Sequence, residues 1–96
     1  MDAGTLTVNG NGSSPSIIFG AAGDSFPCTS YSITNTDTTN GVGINVAGLH
    51  AAGVYFPVAA GVTQIFRAGH NRLTGITGLG LTASTVIITG GIVAKM

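Results

Sequence analysis

The side chains that could move a proton near neutral pH are few in this sequence. General acid–base catalysis needs a carboxylate or an imidazole held beside the reacting proton with a suitably shifted pKa. The residues with that chemistry are Asp2, Asp24, Asp37, His50 and His70. Asp24 and Asp37 both lie among Ser, Thr, Gly and Asn, where an aspartate ordinarily caps a turn. We therefore expect no catalytic residue and no enzyme, and a small hydrolase using a histidine ranks last among the candidate functions.

Metal and cofactor motifs are equally scarce. A zinc site within one chain takes about four His, Cys or carboxylate ligands, but Cys28 is the only cysteine and neither C-x-x-C nor H-x-x-x-H occurs. One alternative stays open, in which a single histidine near the axis of a symmetric trimer supplies three ligands. The G-x-G-x-x-A match at residues 78–83 precedes a predicted strand, whereas dinucleotide binding requires a helix there. The sequence thus predicts no metal and no cofactor.

Charge is almost absent from the chain. Charged residues make up 6% of the sequence, and three basic side chains balance three acidic ones, whereas an ordinary soluble domain is about 25% charged. Because these charges balance, the chain has no net electrostatic attraction for nucleic acid or an anionic membrane, so we expect neither as a partner. Weak mutual repulsion and the small core of a 96-residue chain both favour an oligomer. The amino terminus lacks the layout of a signal peptide, which predicts synthesis in the cytoplasm.

Two segments have the alternation of apolar and polar residues that half-buried strands show. Tyr31 and Ile33 occupy one side of segment 28–36, and Val or Ile occupies every second position of segment 42–47. Asn40-Gly41 between them is a favoured hairpin turn. We therefore predict that the two segments pair as a hairpin.

The remaining segments predict an all-β fold. Sixteen glycines and thirteen threonines, with many Val and Ile, favour strands and turns over helices. Pro57 places the strand around residues 54–58 at a sheet edge, because proline cannot donate to a ladder. Short strands separated by frequent turns predict one β-sandwich or compact barrel of about 6–8 antiparallel strands over residues 16–96. Residues 1–15 would form a flexible amino-terminal arm or an edge strand. The threonines show no fixed period, so we set aside a repetitive threonine array.

The candidate site is therefore an interaction surface rather than a catalytic centre. Two arginines and a histidine near residue 70 concentrate positive charge in one predicted loop, where they are either solvated or in contact with an acidic partner surface. One tyrosine is a possible aromatic platform, and two apolar residues stand out in the amino-terminal segment. The predicted interface consists of Arg67, His70, Arg72, Leu6, Val8 and Tyr55.

Four short runs in the middle and carboxyl half carry a resemblance to a known group of proteins. They are Tyr-Ser-Ile-Thr-Asn-Thr from 31, Gly-Ile-Asn-Val from 43, Tyr-Phe-Pro-Val-Ala-Ala-Gly from 55 and Thr-Val-Ile-Ile-Thr from 85. Over residues 28–95 the chain resembles the small β-sandwich capsid cement, or decoration, proteins of tailed bacteriophages.

The resemblance implies a structural protein of the virion, a homo-oligomer on the capsid exterior. Such a protein, commonly a homotrimer, sits at or near three-fold positions and reinforces contacts between major capsid subunits. Its partners would be the major capsid protein and further copies of itself, and it would be made in the host cytoplasm. The alternative is a phage tail, fibre or adhesin-like module that binds a glycan or a receptor, with Tyr55 as its platform.

Overall fold

The computed structural model describes residues 3–8, 10, 15–19, 28–67, 73 and 75–95, and these contain eight β-strands and no helix. The strands are β1 (Ala3–Val8), β2 (Pro15–Phe19), β3 (Cys28–Asn35), β4 (Val42–Ala47), β5 (Phe56–Val58), β6 (Thr63–Arg67), β7 (Gly75–Gly80) and β8 (Val86–Lys95). The all-β prediction is confirmed. Within these described segments there is accordingly no helix with the length and apolarity to cross a bilayer.

The strands form two four-stranded antiparallel sheets. Sheet A has the order β1-β8-β3-β6, and sheet B has the order β2-β7-β4-β5. Strand β1 pairs with β8, β2 with β7, β3 with β6, and β4 with β5, so the chain folds as a ribbon of four nested strand pairs. This connectivity is that of an eight-stranded jelly roll, a form of β-sandwich.

The predicted hairpin between segments 28–36 and 42–47 is wrong. Both segments are strands, but β3 pairs with β6 and β8 in sheet A, whereas β4 pairs with β5 and β7 in sheet B. Each strand has one fully buried face, and the two faces contribute to the same core from opposite sheets. Alternation shows only that one face is buried, and a turn between strands fits a crossing between sheets as well as a hairpin.

The core lies between the sheets and consists almost wholly of aliphatic side chains. Tyr31 and Ile33 of β3 are fully buried, as the alternation predicted, while Ser32 between them is not. The buried apolar residues of the described segments are Val8, Tyr31, Ile33, Val42, Ile44, Val46, Val58, Phe66, Leu73, Ile76, Val86 and Ile88. Their burial supplies the main favourable free energy of folding.

Asn35 is a fully buried polar residue among these apolar side chains. Its Nδ2 donates hydrogen bonds to the carbonyls of Asn40 (2.9 Å) and Val58 (3.1 Å). Its Oδ1 accepts a hydrogen bond from the backbone N–H of Asp37 (2.9 Å). Since Asn35 ends β3 in sheet A and Val58 ends β5 in sheet B, this side chain joins the two sheets at one end of the sandwich.

Gly10, after β1, is required for a close backbone approach. A Cβ atom at this position would lie well inside 3.0 Å of the backbone of Ser84 and Thr85. The glycine therefore lets the backbone at residue 10 pack directly on the connection between β7 and β8.

Candidate interaction surface

Asp37 is a carboxylate whose role the structure defines. Its Oδ2 accepts hydrogen bonds from the backbone N–H groups of Asn40 (2.6 Å) and Thr39 (3.2 Å) and from the Thr39 hydroxyl (3.4 Å). The Asn40 bond, followed by the Thr39 bond, holds the pKa of the Asp37 carboxyl below its ordinary value. The carboxylate stabilises the β3–β4 connection, so the prediction that Asp37 caps a turn is confirmed. Asp24 lies outside the described residues.

His50 anchors the connection between β4 and β5. The backbone N–H of Val46 donates to His50 Nδ1 (3.1 Å), and the backbone N–H of His50 donates to the Val46 carbonyl (2.8 Å). Because Nδ1 accepts a hydrogen bond, the neutral ring carries its proton on Nε2. Among the described residues, no three of His, Cys, Asp and Glu come together as metal ligands could.

A cluster of three rings lies where the two sheets meet on the β5–β6 side. The rings of His50 and Phe56 are stacked, with centroids 6.4 Å apart and an interplanar angle of 3°. Phe66 lies edge-on to both, 5.8 Å from His50 and 5.6 Å from Phe56. Phe56 belongs to sheet B and Phe66 to sheet A, so this cluster closes the sandwich where no backbone ladder joins β5 to β6.

Exposed apolar side chains are frequent in the chain segment that carries the ring cluster. Eight large apolar side chains in the described residues are at least 39% exposed, and five of them lie between residues 49 and 65. We call residues 49–67 the β5–β6 rim. Its exposed apolar side chains are Leu49, Val54, Phe56, Val62 and Ile65. Where such side chains adjoin one another on the surface, they commonly mark a contact with a partner.

The structure places two residues of the predicted interface on the rim. Arg67 ends β6 and is exposed. Tyr55 is half-buried because it packs over Gly43, where a Cβ atom would lie 3.1 Å from the Tyr55 Cβ. Phe56, which sequence reasoning missed, is 41% exposed and is therefore more open than Tyr55. Phe56 is adjacent to Tyr55 in the chain, and the sequence alone does not indicate which of the two side chains is the more exposed.

The other predicted interface residues lie elsewhere. Val8 is fully buried in the core, so its side chain packs between the sheets and does not reach a partner. This corrects its place in the predicted interface, since an apolar residue in a short first strand has the same pattern whether it faces core or solvent. Leu6 lies on β1 in register with Ile88, on the opposite edge of sheet A from the rim. His70 and Arg72 lie outside the described residues.

A row of threonines crosses the outer face of sheet A. The register places Thr5 opposite Thr89, Thr89 opposite Thr34, and Thr34 opposite Thr63. The Thr34 and Thr63 hydroxyls are hydrogen bonded at 2.8 Å. Sequence reasoning set aside a threonine array because no period was visible. The row has no period because it joins strands that are remote in the chain, so periodicity alone could not have found it.

The edge strands of the two sheets differ in their protection. Sheet B is bounded by β2, which starts with Pro15, and by β5, whose middle residue is Pro57. The prediction that Pro57 lies at an edge is confirmed. Sheet A is bounded by β1 and β6, which contain no proline and, apart from Arg67, no charge. Prolines and charges are the usual guards against pairing with another strand, so among the described strands the edges of sheet A are the less protected ones.

The chain matches no protein-family model and no curated protein, so it is characterised by its own geometry.

Proposed function

We propose that this chain is a structural virion protein, a capsid cement or decoration protein that reinforces contacts between major capsid subunits. The observation that carries the proposal is the β5–β6 rim, where exposed apolar side chains adjoin an open strand edge in a nearly uncharged chain. Such a surface lacks the repulsion that keeps free proteins apart, and it is suited to permanent contact with a lattice.

The jelly-roll connectivity is compatible with this role. Jelly rolls occur in viral capsid proteins, and also in lectins and cupins. Because one fold serves many functions, the jelly roll supports this role by analogy alone, whereas the exposed side chains of the rim support it directly. The rim exposes Val54 and Phe56 on the sheet B side and Ile65 on the sheet A side, so a partner seated there would contact both sheets.

Binding to capsids lacking this chain tests the proposal. Purified protein is mixed with shells of the source bacteriophage assembled without it, and bound protein is measured by co-sedimentation and located by electron microscopy. Val54→Ser removes an apolar side chain that is 51% exposed on the rim, and Val93→Ser makes the same change at a position that is 52% exposed on β8. Because the remaining half of a valine side chain contributes on the order of 1 kcal/mol when buried, we expect about fivefold weaker binding for Val54→Ser alone.

Two results would contradict the proposal. One is a folded wild-type protein that shows no binding to the shells at any concentration. The other is equal weakening by Val54→Ser and Val93→Ser, which would show that the rim is not the contact surface.

The second candidate is a tail, fibre or adhesin-like module that binds a glycan, and the exposed ring of Phe56 favours it. An exposed ring could stack on a sugar, and the Nε2–H of the neighbouring His50 ring could donate a hydrogen bond to it. Glycan arrays with wild-type protein and Phe56→Ala distinguish the two functions. Binding that Phe56→Ala abolishes would support the glycan module, and blank arrays at high protein concentration would remove it.

A further inference from the structure

We propose that copies of this chain associate head to tail through sheet A, with β6 of one copy adding to β1 of the next. The inference deepens the proposed function, because a cement protein assembles with itself, but it rests on edge geometry and its test needs no capsid. The occupant of the open β6 edge is therefore a second copy of this chain.

Backbone hydrogen bonds show which residues of β6 face the free edge. The Asn35 N–H donates to the Val62 carbonyl (3.0 Å), so Val62 directs its carbonyl at β3. In an antiparallel pair every second residue repeats this orientation, so Gln64 and Phe66 also face β3. The residues between them direct their N–H and C=O groups away from the sheet: Thr63, Ile65 and Arg67.

A side-chain contact agrees with this orientation. Gln64 Nε2 donates to the carbonyl of Ile65 at 3.2 Å. A carbonyl within a ladder is satisfied by the neighbouring strand, so a side-chain donor at Ile65 is expected where the strand has no neighbour. That bond is exposed and easily exchanged for a strand partner.

Backbone hydrogen bonds also show which residues of β1 direct their N–H and C=O groups away from β8. The Thr36 N–H donates to the Ile87 carbonyl (3.1 Å), so Ile87 faces β3 and the next residue, Ile88, faces β1. Ile88 is in register with Leu6, whose backbone therefore faces β8. The residues on either side of Leu6 direct their backbone groups to the free edge: Thr5 and Thr7.

The β1 and β6 edges are complementary in strand direction and in the side of the sheet on which the side chains of their free residues lie. Strands β1 and β6 run in opposite directions, because three antiparallel pairings separate them. The β6 of one copy and the β1 of an identically oriented copy therefore meet antiparallel. On both edges the free groups belong to residues with exposed side chains, Thr5 and Thr7 on one and Thr63 and Ile65 on the other. Pairing Ile65 with Thr5 and Thr63 with Thr7 thus keeps outer face with outer face.

This register places no second cation opposite Arg67. Arg67 is the last residue of β6, and with Ile65 opposite Thr5 it is opposite Ala3 of β1. A symmetric pairing of two β6 strands instead contains two copies of Arg67 and no acidic residue within either strand. The prolines of β2 and β5 make the edges of sheet B poorer competitors.

The experiment uses the purified full chain, with its mass measured by sedimentation equilibrium and its fold by circular dichroism. Thr5→Pro blocks the β1 edge and Ile65→Pro blocks the β6 edge, and neither residue uses its N–H within sheet A. Val93→Lys is the control, because it adds a charge to β8 at a 52% exposed position and leaves both edges intact.

We expect wild type and Val93→Lys to associate and each proline variant alone to be monomeric. Each proline removes one cross-edge N–H donor, and its ring disrupts the second bond of the same residue pair, so the loss of about 2 kcal/mol weakens association by roughly 30-fold. Mixing the two proline variants should give a one-to-one dimer, since one supplies an intact β6 and the other an intact β1. Should a proline variant fail to fold, hydrogen exchange on wild type replaces it: the Thr7 and Ile65 amides should be protected in the assembly and exposed on dilution.

Three results would overturn the inference. The wild type could be monomeric in the absence of capsid, or Thr5→Pro alone could dimerise as well as wild type, which would indicate symmetric β6 pairing. The third result is an assembled wild type in which the Thr7 and Ile65 amides are not protected from hydrogen exchange. A monomer that still binds shells would refute the edge pairing and leave the proposed function standing, and an edge-paired oligomer that ignores shells would do the reverse.

Discussion

Replacement of Asn35 by alanine should destabilise this fold more than any other single polar-to-alanine change in the described residues. The Asn35 side chain is fully buried and makes three hydrogen bonds, all to backbone groups of the β3–β4 connection and of β5. Asn35→Ala removes both donors and the acceptor at once. The carbonyl of Val58 is then left in a buried site where water cannot readily replace the amide.

The magnitude follows from the three lost bonds. A hydrogen bond between neutral groups contributes about 1 kcal/mol net, so Asn35→Ala should cost about 3 kcal/mol. For a domain of this size that lowers the Tm by roughly 12–24 °C. The variant Asn35→Asp keeps the shape but turns an oxygen toward the carbonyls of Asn40 and Val58. Its carboxyl pKa should be raised in the folded state, so this variant is most stable below the unfolded pKa, about 3.9, and loses stability as pH rises.

Asn45 provides the matched control. Its Nδ2 also donates to two backbone carbonyls, those of Ala51 (2.9 Å) and Val54 (2.7 Å), but these bonds are exposed and water can replace them. Asn45→Ala should therefore cost less than about 1 kcal/mol. Urea unfolding followed by circular dichroism at one fixed protein concentration measures both variants. If Asn35→Ala cost no more than Asn45→Ala, burial would not govern how much these hydrogen bonds contribute to stability.

Three further changes give distinct outcomes. Gly10→Ala should lower the free energy of unfolding in urea more than Gly61→Ala does, because the added Cβ at position 10 meets backbone atoms. At Gly61, with φ +74°, the added Cβ meets open space and only strains the local backbone. A larger loss for Gly61→Ala would contradict the close approach at Gly10. Phe66→Ala should cost about 3–5 kcal/mol and Phe56→Ala clearly less, since Phe66 is 3% exposed and Phe56 41%; equal costs would mean that the ring cluster, not burial, sets their contribution. The pKa of Asp37 is lowered on folding, so the stability that its carboxylate contributes is present above the ordinary pKa of 3.8 and is lost as pH falls through the folded pKa. The Tm of Asp37→Ala should therefore fall further below that of wild type at pH 7 than at pH 2.5. A Tm difference independent of pH would show that the carboxylate hydrogen bonds do not contribute to stability.

The elements of this fold were largely predictable from sequence, whereas their arrangement was not. Alternation correctly identified the buried faces of β3 and β4, because burial of one face is a local property of a strand. The partner of each strand is a long-range property, so Asn40-Gly41 indicated a hairpin where the chain crosses between sheets.

The surface followed the same division. Pro57 indicated an edge because one missing donor is a local fact, while the exposure of Phe56 and the burial of Val8 depend on which sheets lie opposite. The threonine row from Thr5 to Thr63 is the extreme case, since it exists only through pairing across the chain.

The nested strand pairs also determine when the apolar faces of the strands first become buried during synthesis. The outermost pair joins Gly4 to Gly90, so β1 remains without its partner until all the other strands and β8 itself have been synthesised. Strand β8 lies between β1 and β3, and sheet A is split in two until β8 is inserted. Folding should therefore be slow, as expected for contacts of high sequence separation, and should start from the inner β4–β5 pair. Until the last strand is in place, nascent chains expose apolar faces that belong inside the sandwich. The risk of aggregation is therefore higher during synthesis than after folding.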